Sequence, residues 1–343
     1  MGYVSRRDHA LLDFRLSLPQ DWARDELRRA ACHVPPAVQY HTRHEQCLEM
    51  LDQWREHIPH GWVTGDEELG RHAGFRGELR KRGERYVLGA PCTTTMRDLE
   101  VAWPAYAGHG QWPKAPWQSV MQWRQSLPPH AWRRLTVRDG EKGPVAIEMV
   151  TRRVQTRLER KRMGPEEWLV VTRRPLADDR TLEPKASPDA TDQDARYCYH
   201  YYLTPTCVSE MELEEPSLAE LARVIKAGAC IEASFKRSKG EVGMVAYQVR
   251  TWPGWHHHMA LSLMAVWFLI GETHRGQQVT PALTLPQVRY GLSLLLLEVF
   301  YTPGVDDICR QVQRQLLRNE LARFYHHRTR KCIPPRKLRR EIQ

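Results

Sequence analysis

The 343-residue chain has no C-x-x-C pair, no internal repeat and no apolar run long enough to cross a bilayer, and each absence removes a class of function. Its eight cysteines (Cys32, Cys47, Cys92, Cys198, Cys207, Cys230, Cys309 and Cys332) are scattered, and no signal peptide precedes them. They read as reduced, cytosolic thiols rather than a disulfide framework or a zinc ribbon. The most apolar stretch, Met259 to Gly271, is interrupted by Ser262 and falls short of the ~20 residues that a spanning helix needs. It is expected as a buried core helix, and so is Leu292 to Phe300, which contains Glu298. His41, His44 and Cys47 could share a helix face near a metal, but no partner set completes such a site, and they read as ordinary surface residues.

Acidic residues are scarce in one region. From Arg310 to Gln343 eleven Lys or Arg stand against Glu320 and Glu341, which accounts for nearly all of the chain's net charge of +10. A basic stripe confined to one end is an electrostatic footprint for a polyanion, nucleic acid above all. Such a stripe holds phosphates without reading sequence, and its affinity falls steeply with salt. Arg336, Lys337, Arg339 and Arg340 are its densest part and are candidate DNA contacts. A solvated, partly disordered tail is the other reading of the same charges. With 41% apolar residues the chain can bury a large core in two or three structural units.

Apolar periodicity gives the organisation. Alternation from Leu11 to Pro19 predicts a half-buried strand, and Cys47, Leu48, Leu51 and Trp54 predict a helix within 45–57. A short strand from Gly61 ends at Asp66, a basic helix runs from Phe75 to Gly83, and a strand follows over Arg85 to Gly89. This order argues for an α/β sheet. From Val101 five tryptophans fall among prolines, Val145, Ile147 and Met149 alternate with other residues, and Trp168 to Arg173 is a strand candidate. The span 101–196 therefore reads as a β-rich insertion with a mobile loop at 176–195, where acids, prolines and small polar residues dominate. Tyr197 to Leu203 returns to the sheet. Ser217 with Glu220 forms a capping box that opens a helix to Ala227, a second helix carries Glu232, and a third runs from about Gly254 to Thr273. Thr284 with Gln287 starts another, and Gly304 precedes a last amphipathic helix with Leu316, Leu317, Leu321 and Phe324. The expected division is a first core segment 1–100, the insertion 101–196, a second core segment 197–275 and a helical, basic tail 276–343.

The residues that carry chemistry cluster late. Glu232 and Lys239 are seven residues apart, close to two helical turns or about 10 Å, so they lie nearly on one face. That arrangement suits a carboxylate holding a metal beside an ammonium holding a phosphate. Lys239, Arg250 and Trp252 could line a groove in which an unpaired base stacks, worth about 1–3 kcal/mol per base. His256, His257 and His258 point about 100° apart on a helix and cannot chelate one ion together. The block 231–258 closely resembles the carboxyl-terminal signature, Y-x2-R-x3-E-x6-K, of bacterial insertion-sequence transposases of the DDE class. Glu232 and Lys239 occupy its last two places, while Ile225 and Gly228 stand where the Tyr and Arg would be. Trp62 to Arg71 resembles the family's second-aspartate motif, an apolar strand followed by D-x-x-(aromatic)-G, with Asp66 as the aspartate and Leu69 in the aromatic's place. On spacing alone Asp66 would be a turn or cap residue and Glu232 a solvated helix acid.

The resemblance covers almost the whole chain, most strongly at 61–92 and 231–270, and Asn319 to His326 with Pro334-Pro335 is similar to the family's usual close. It implies an incomplete RNase H-like (retroviral-integrase-like) α/β core interrupted by the β-rich insertion. It also implies DNA cleavage and strand transfer at element ends through two Mg2+ (or Mn2+) ions roughly 4 Å apart, with Asp66 and Glu232 as catalytic metal ligands. The family's first aspartate, in an apolar-D-D-T strand, has no counterpart, since Asp8 and Asp13 come too late. The chain thus reads as an amino-terminally truncated transposase, cytoplasmic and beside the bacterial nucleoid, with little cleavage of its own. Its expected partners are double-stranded transposon ends and full-length transposase or an amino-terminal fragment, with no membrane. Two other readings are half of a split or frameshifted active transposase, and a DNA-binding regulator that competes with the full-length enzyme.

Overall fold

The computed structural model describes residues 1–300 except 6–7, 106–107, 110–115, 141–142, 159–161, 176–195 and 281–282, and beyond 300 only Asp306, Arg310 and Arg314. Met1–Leu263 and Met264–Gln343 form two compact units. In chain order come β1 (Gly2–Val4), β2 (His9–Leu11), α1 (Gln20–Arg24), α2 (Glu26–Ala31), α3 (Arg43–Trp54), β3 (Val63–Gly65), α4 (Glu67–Gly70), α5 (Ala73–Lys81) and β4 (Tyr86–Gly89). Then follow β5 (Thr95–Asp98), β6 (Gln118–Ser119), α6 (Val120–Gln125), β7 (Arg133–Gly140), β8 (Gly143–Arg157), β9 (Met163–Pro175) and β10 (Tyr197–Pro205). The described elements close with β11 (Cys207–Val208), β12 (Met211–Glu212), α7 (Leu218–Glu241), α8 (Trp252–Gln277) and α9 (Leu285–Phe300).

The main sheet has the order β3-β4-β10-β9-β8-β5-β6, with β7 also paired to β8. Among the described strands only β3 and β4 run parallel, joined by a crossover through α4 and α5, because parallel neighbours need a long connection. This mixed α/β architecture with a central mixed sheet is consistent with the RNase H-like expectation. The strands of residues 133–175 extend the same sheet, since β10 bonds to β4 on one side and to β9 on the other.

Strand alternation decides which side each residue serves. Along β10, Tyr199, Tyr201 and Leu203 join Leu169, Val171, Val154, Met96 and Trp123 of α6 on one face. Tyr202 points the other way, into Val87, Met149, Val170, Leu221 and Ala222 beneath α7. Leu169, Val170 and Val171 are consecutive and all fully buried, as a strand covered on both faces must be.

One carboxylate ties four elements together. Glu167 of β9 is 0% exposed and accepts from Arg76 Nε (2.8 Å), Tyr86 Oη (2.6 Å), Thr156 Oγ1 (3.0 Å) and Arg80 Nη1 (3.2 Å). Arg76, itself 4% exposed, also donates from Nη1 to the Gly70 carbonyl at the end of α4. Burial by itself would push the Glu167 carboxyl up, yet the Arg76 and Arg80 guanidiniums hold it below the ordinary glutamate value.

Several expectations are corrected. Only Leu11 of the predicted strand Leu11–Pro19 is extended in a ladder. The Met1 carbonyl accepts from the Leu12 and Asp13 amides, and the Asp13 carboxylate turns to the Phe14 amide and to Trp54 Nε1, which ends the pairing. The helix from Ser217 does not stop at Ala227 but runs unbroken through Gly228 to Glu241, because burial of its apolar face outweighs the roughly 1 kcal/mol that an interior glycine costs. The capping box is half made: Ser217 Oγ accepts from the Glu220 amide at 3.1 Å, while the Glu220 carboxylate instead takes Trp62 Nε1 at 2.9 Å. Ser217→Ala is accordingly expected to cost about 0.5–2 kcal/mol in urea unfolding, whereas an unchanged midpoint would mean the cap does not hold the helix. The apolar stretches 259–271 and 292–300 are helical but only partly buried, with Leu261 65% and Phe300 79% exposed. No helix among the described residues is long and apolar enough to cross a membrane. The loop 176–195 and the amphipathic helix after Gly304 fall outside the described residues, apart from Asp306, Arg310 and Arg314.

Candidate active site

Asp66 leaves β3 and becomes the N-cap of α4, its Oδ1 accepting from the Leu69 amide at 3.2 Å. The cap role that spacing alone suggests is therefore real, and it fixes the carboxylate at the carboxyl end of the strand. Two glycines let this turn settle onto β4. A Cβ on Gly89 would stand 2.8 Å from the Asp66 carbonyl carbon and 2.7 Å from the Glu67 amide nitrogen, and one on Gly70 would stand 2.9 Å from Leu88 Cβ. The next two acids are engaged elsewhere, Glu67 with Arg71 at 3.0 Å and Glu68 with Arg43 at 2.7 Å. Towards α3, burial raises the Cys47 thiol, and the Asp66 and Glu68 carboxylates raise it further.

Glu232 reaches the same end of the sheet by two routes. Helix α7 advances in the same direction as β3: Glu220 meets Trp62, and a Cβ on Gly228 would lie 3.9 Å from Thr64 Oγ1. One turn further along α7 is Glu232, and two residues further along β3 is Asp66. Independently, antiparallel pairing sets Tyr202 of β10 opposite Gly89, against which the Asp66 turn rests. The Glu232 carboxylate acts on that same Tyr202, whose hydroxyl is raised by burial first and by Glu232 as well, and on His200 two residues earlier.

Asp66 and Glu232, both exposed, thus stand towards the carboxyl ends of β3 and β4. Hard oxygen donors suit Mg2+, which keeps several waters and needs few protein ligands. Their number falls one short of the three-acid set that the resemblance implies, and among the described residues no three His, Cys, Asp or Glu side chains gather where one ion could bind them. The residues present do not by themselves make a two-metal site.

The other expected site residues are dispersed. Lys239, near the end of α7, and Arg250, ahead of α8, are exposed. Trp252 is half-buried: its amide donates to the Cys32 carbonyl at 2.8 Å and its ring meets the tilted His256 ring at 4.3 Å. It packs the start of α8 rather than offering an open stacking face. Trp255 meets Phe14 edge-on at 5.4 Å, and His258 Nε2 lies 3.3 Å from the Met244 carbonyl. His44 meets His72 at 3.9 Å with the rings tilted 58°. Arg336, Lys337, Arg339 and Arg340 lie outside the described residues. Sequence reasoning passed over Arg174, His200 and Lys226, which the fold brings towards Glu232. The available signal was a lysine set in the apolar stretch Val224-Ile225-Lys226-Ala227.

Residues 1–144 match the family model of the DDE superfamily endonucleases. No curated protein matches the chain. The match supports a DDE transposase-like protein acting on DNA, with nuclease or transposase-type chemistry and the divalent metal ions such endonucleases generally use. It includes Asp66 and ends within β8, before Glu232.

Proposed function

We propose, taking the likeness of residues 1–144 to DDE superfamily endonucleases as the premise, that this chain is the transposase, or part of it, of a bacterial insertion sequence. In this reading it binds the element's DNA ends, and Asp66 and Glu232 are two of the carboxylates that hold Mg2+ or Mn2+. One observation supports it: β3 and α7, more than 150 positions apart in sequence, run alongside each other in the same direction, with Trp62 on Glu220 and Thr64 near Gly228. A metal held there would neutralise charge on a scissile phosphate. The chain's own share is to hold the two carboxylates through the Asp66 turn and α7, with Lys239, Arg250 and the basic carboxyl-terminal stretch drawing in the DNA backbone. With two ligands of three, metal affinity is low and the 343-residue chain nicks DNA poorly.

Water-proton relaxation with Mn2+ tests this, because it reads the ion without needing turnover. A weak site is expected, lost in Asp66→Asn and in Glu232→Gln. Robust plasmid nicking that survives Asp66→Ala, or Mn2+ binding indifferent to both substitutions, would refute the assignment.

A second reading, one part of a split active transposase, is favoured by the edge of the sheet. Strand β3 ends the strand order, so one row of its backbone groups has no strand partner among the described residues. The β1–β2 pair forms a separate small sheet whose Gly2 packs on Ile231 of α7, one turn from Gly228. A peptide with an apolar-D-D-T strand, added in trans, is expected to restore metal-dependent nicking in this case, and failure of every such peptide would dismiss it.

A further inference from the structure

Two cationic side chains, Arg174 and Lys226, and the His200 imidazole come from three elements towards Glu232. Arg174 on β9 stands opposite Cys198 of β10, and His200 stands opposite Thr172. Residues 170, 172 and 174 of β9, with 198, 200 and 202 of β10, share the sheet face on which Val170 and Tyr202 pack against α7. Onto that face α7 brings Lys226, half-buried next to Ile225 and Val224. Neither Arg174 nor Lys226 has an ion pair among the described residues. Several other buried or half-buried arginines are answered, Arg76 by Glu167 at 2.8 Å, Arg152 by Asp98 at 2.8 Å and Arg82 by Asp52 at 2.9 Å.

The electrostatics agree with this placement. Burial, and then the Arg174 guanidinium, lower the Lys226 ammonium's hold on its proton. His200 is lowered by burial, then by Arg174 and Lys226, and only Glu232 opposes. Positive charges brought together raise the free energy of the folded chain where Glu232 offsets them only in part, and a further anion bound among them lowers it. Arg174 and His200 are open to solvent, so the spot is a surface track rather than an enclosed cavity for a small ion.

We infer that Arg174, Lys226 and His200 form a phosphodiester-binding subsite that holds the backbone of a DNA strand next to Glu232. This rests on the DNA-processing reading above, but it requires neither metal nor cleavage. Lys226 stands two places before Gly228, where the resembling signature carries its arginine, so cationic charge enters this site from a different position on α7 and from the neighbouring strand.

Fluorescence anisotropy of a labelled DNA duplex with the full chain, in EDTA and across a salt series, tests the subsite. Lys226→Met and Arg174→Gln are each expected to weaken binding several-fold at fixed salt. Each should also make the slope of log affinity against log salt shallower by about 1, the loss of one phosphate contact. Lys226→Arg is expected to restore both. Arg174 is exposed, so its variant carries the test if Lys226→Met fails to fold. Slopes equal to wild type in a folded Arg174→Gln protein would overturn the subsite while leaving the metal ligands standing. Loss of slope here together with Mn2+ binding indifferent to Asp66→Asn would keep the subsite and reject the metal assignment. Absence of DNA binding by the wild-type chain would sink the subsite and the DNA reading together.

Discussion

Glu167→Gln is expected to destabilise the first compact unit by about 3–5 kcal/mol, the usual consequence of removing one partner from a buried ion pair. The substitution is nearly isosteric, so no cavity accounts for the loss. What remains is Arg76, 4% exposed, and Arg80 beside it, with the anion that answered both withdrawn. Denaturant unfolding reads this directly, and a change under 1 kcal/mol would mean that water reaches Arg76. The same carboxylate also sets a pH dependence. Its folded pKa lies below its unfolded one, so its stabilisation is fully present above the ordinary glutamate range and is lost as pH falls through the depressed folded value. Wild type should therefore lose stability on acidification through that window more steeply than Glu167→Gln, by at most about 1.4 kcal/mol per pH unit for one proton. Parallel curves would remove Glu167 from the account.

Gly89→Ala and Gly70→Ala should be nearly as damaging, for a steric reason. In Gly89→Ala the new methyl would press on backbone atoms of Asp66 and Glu67, and in Gly70→Ala on the backbone of Gly89 and on Leu88. Backbone cannot swing aside as the end of a side chain can, so a cost of about 1–3 kcal/mol or more is expected. Gly89→Ala is the more informative, because it leaves every candidate ligand in the sequence while moving the turn that carries Asp66. Mn2+ affinity should fall with it even where the protein remains folded. Gly77→Ala is the matched control: no atom comes within 4 Å of its added Cβ, and in mid-helix it should stabilise by roughly 0.5–1 kcal/mol. Mn2+ affinity untouched by Gly89→Ala would separate the Asp66 turn from metal binding.

What could be read from the sequence was whatever short-range pattern encodes. Alternation and turn residues marked β3, β4 and β10, and helical spacing marked α3 and α5 with the close at Gly83, whose φ of 74° suits glycine. Ser217 announced the start of α7, but the partner of Glu220 could not be foreseen, because Trp62 is distant in sequence and arrives only through the fold. The division into one helix ending at Ala227 and a second carrying Glu232 was wrong, because tertiary packing keeps α7 continuous. Glu167 lies between Glu166 and Trp168 with nothing to distinguish it until strand parity turns it inward beside Leu169. The apolar stretch in α8 was legible as a helix, but composition cannot say which side of it will be covered. For the candidate site, the Asp66 turn was readable as a cap, and Glu232 stood out through its spacing to Lys239. The convergence of Arg174, His200 and Lys226 was not readable, since it depends on the β9–β10 register and on the position of α7 across it.

The seam between β4 and β10 governs the order in which this chain can assemble. Strands β7, β8 and β9 form a meander of sequence neighbours, quick to close, whereas Leu88 finds its antiparallel partner in the distant Leu203. Loop closure over such a span is slow, and parallel β3–β4 waits on the same event for its cover. While the ribosome is still making β10, the edge of β4 is bare and Val87 lacks the partners on β8, β9 and α7 that cover it. Aggregation during synthesis, more than weakness of the finished sheet, is therefore the hazard this topology carries, and slower translation across residues 90–200 would lengthen the exposure.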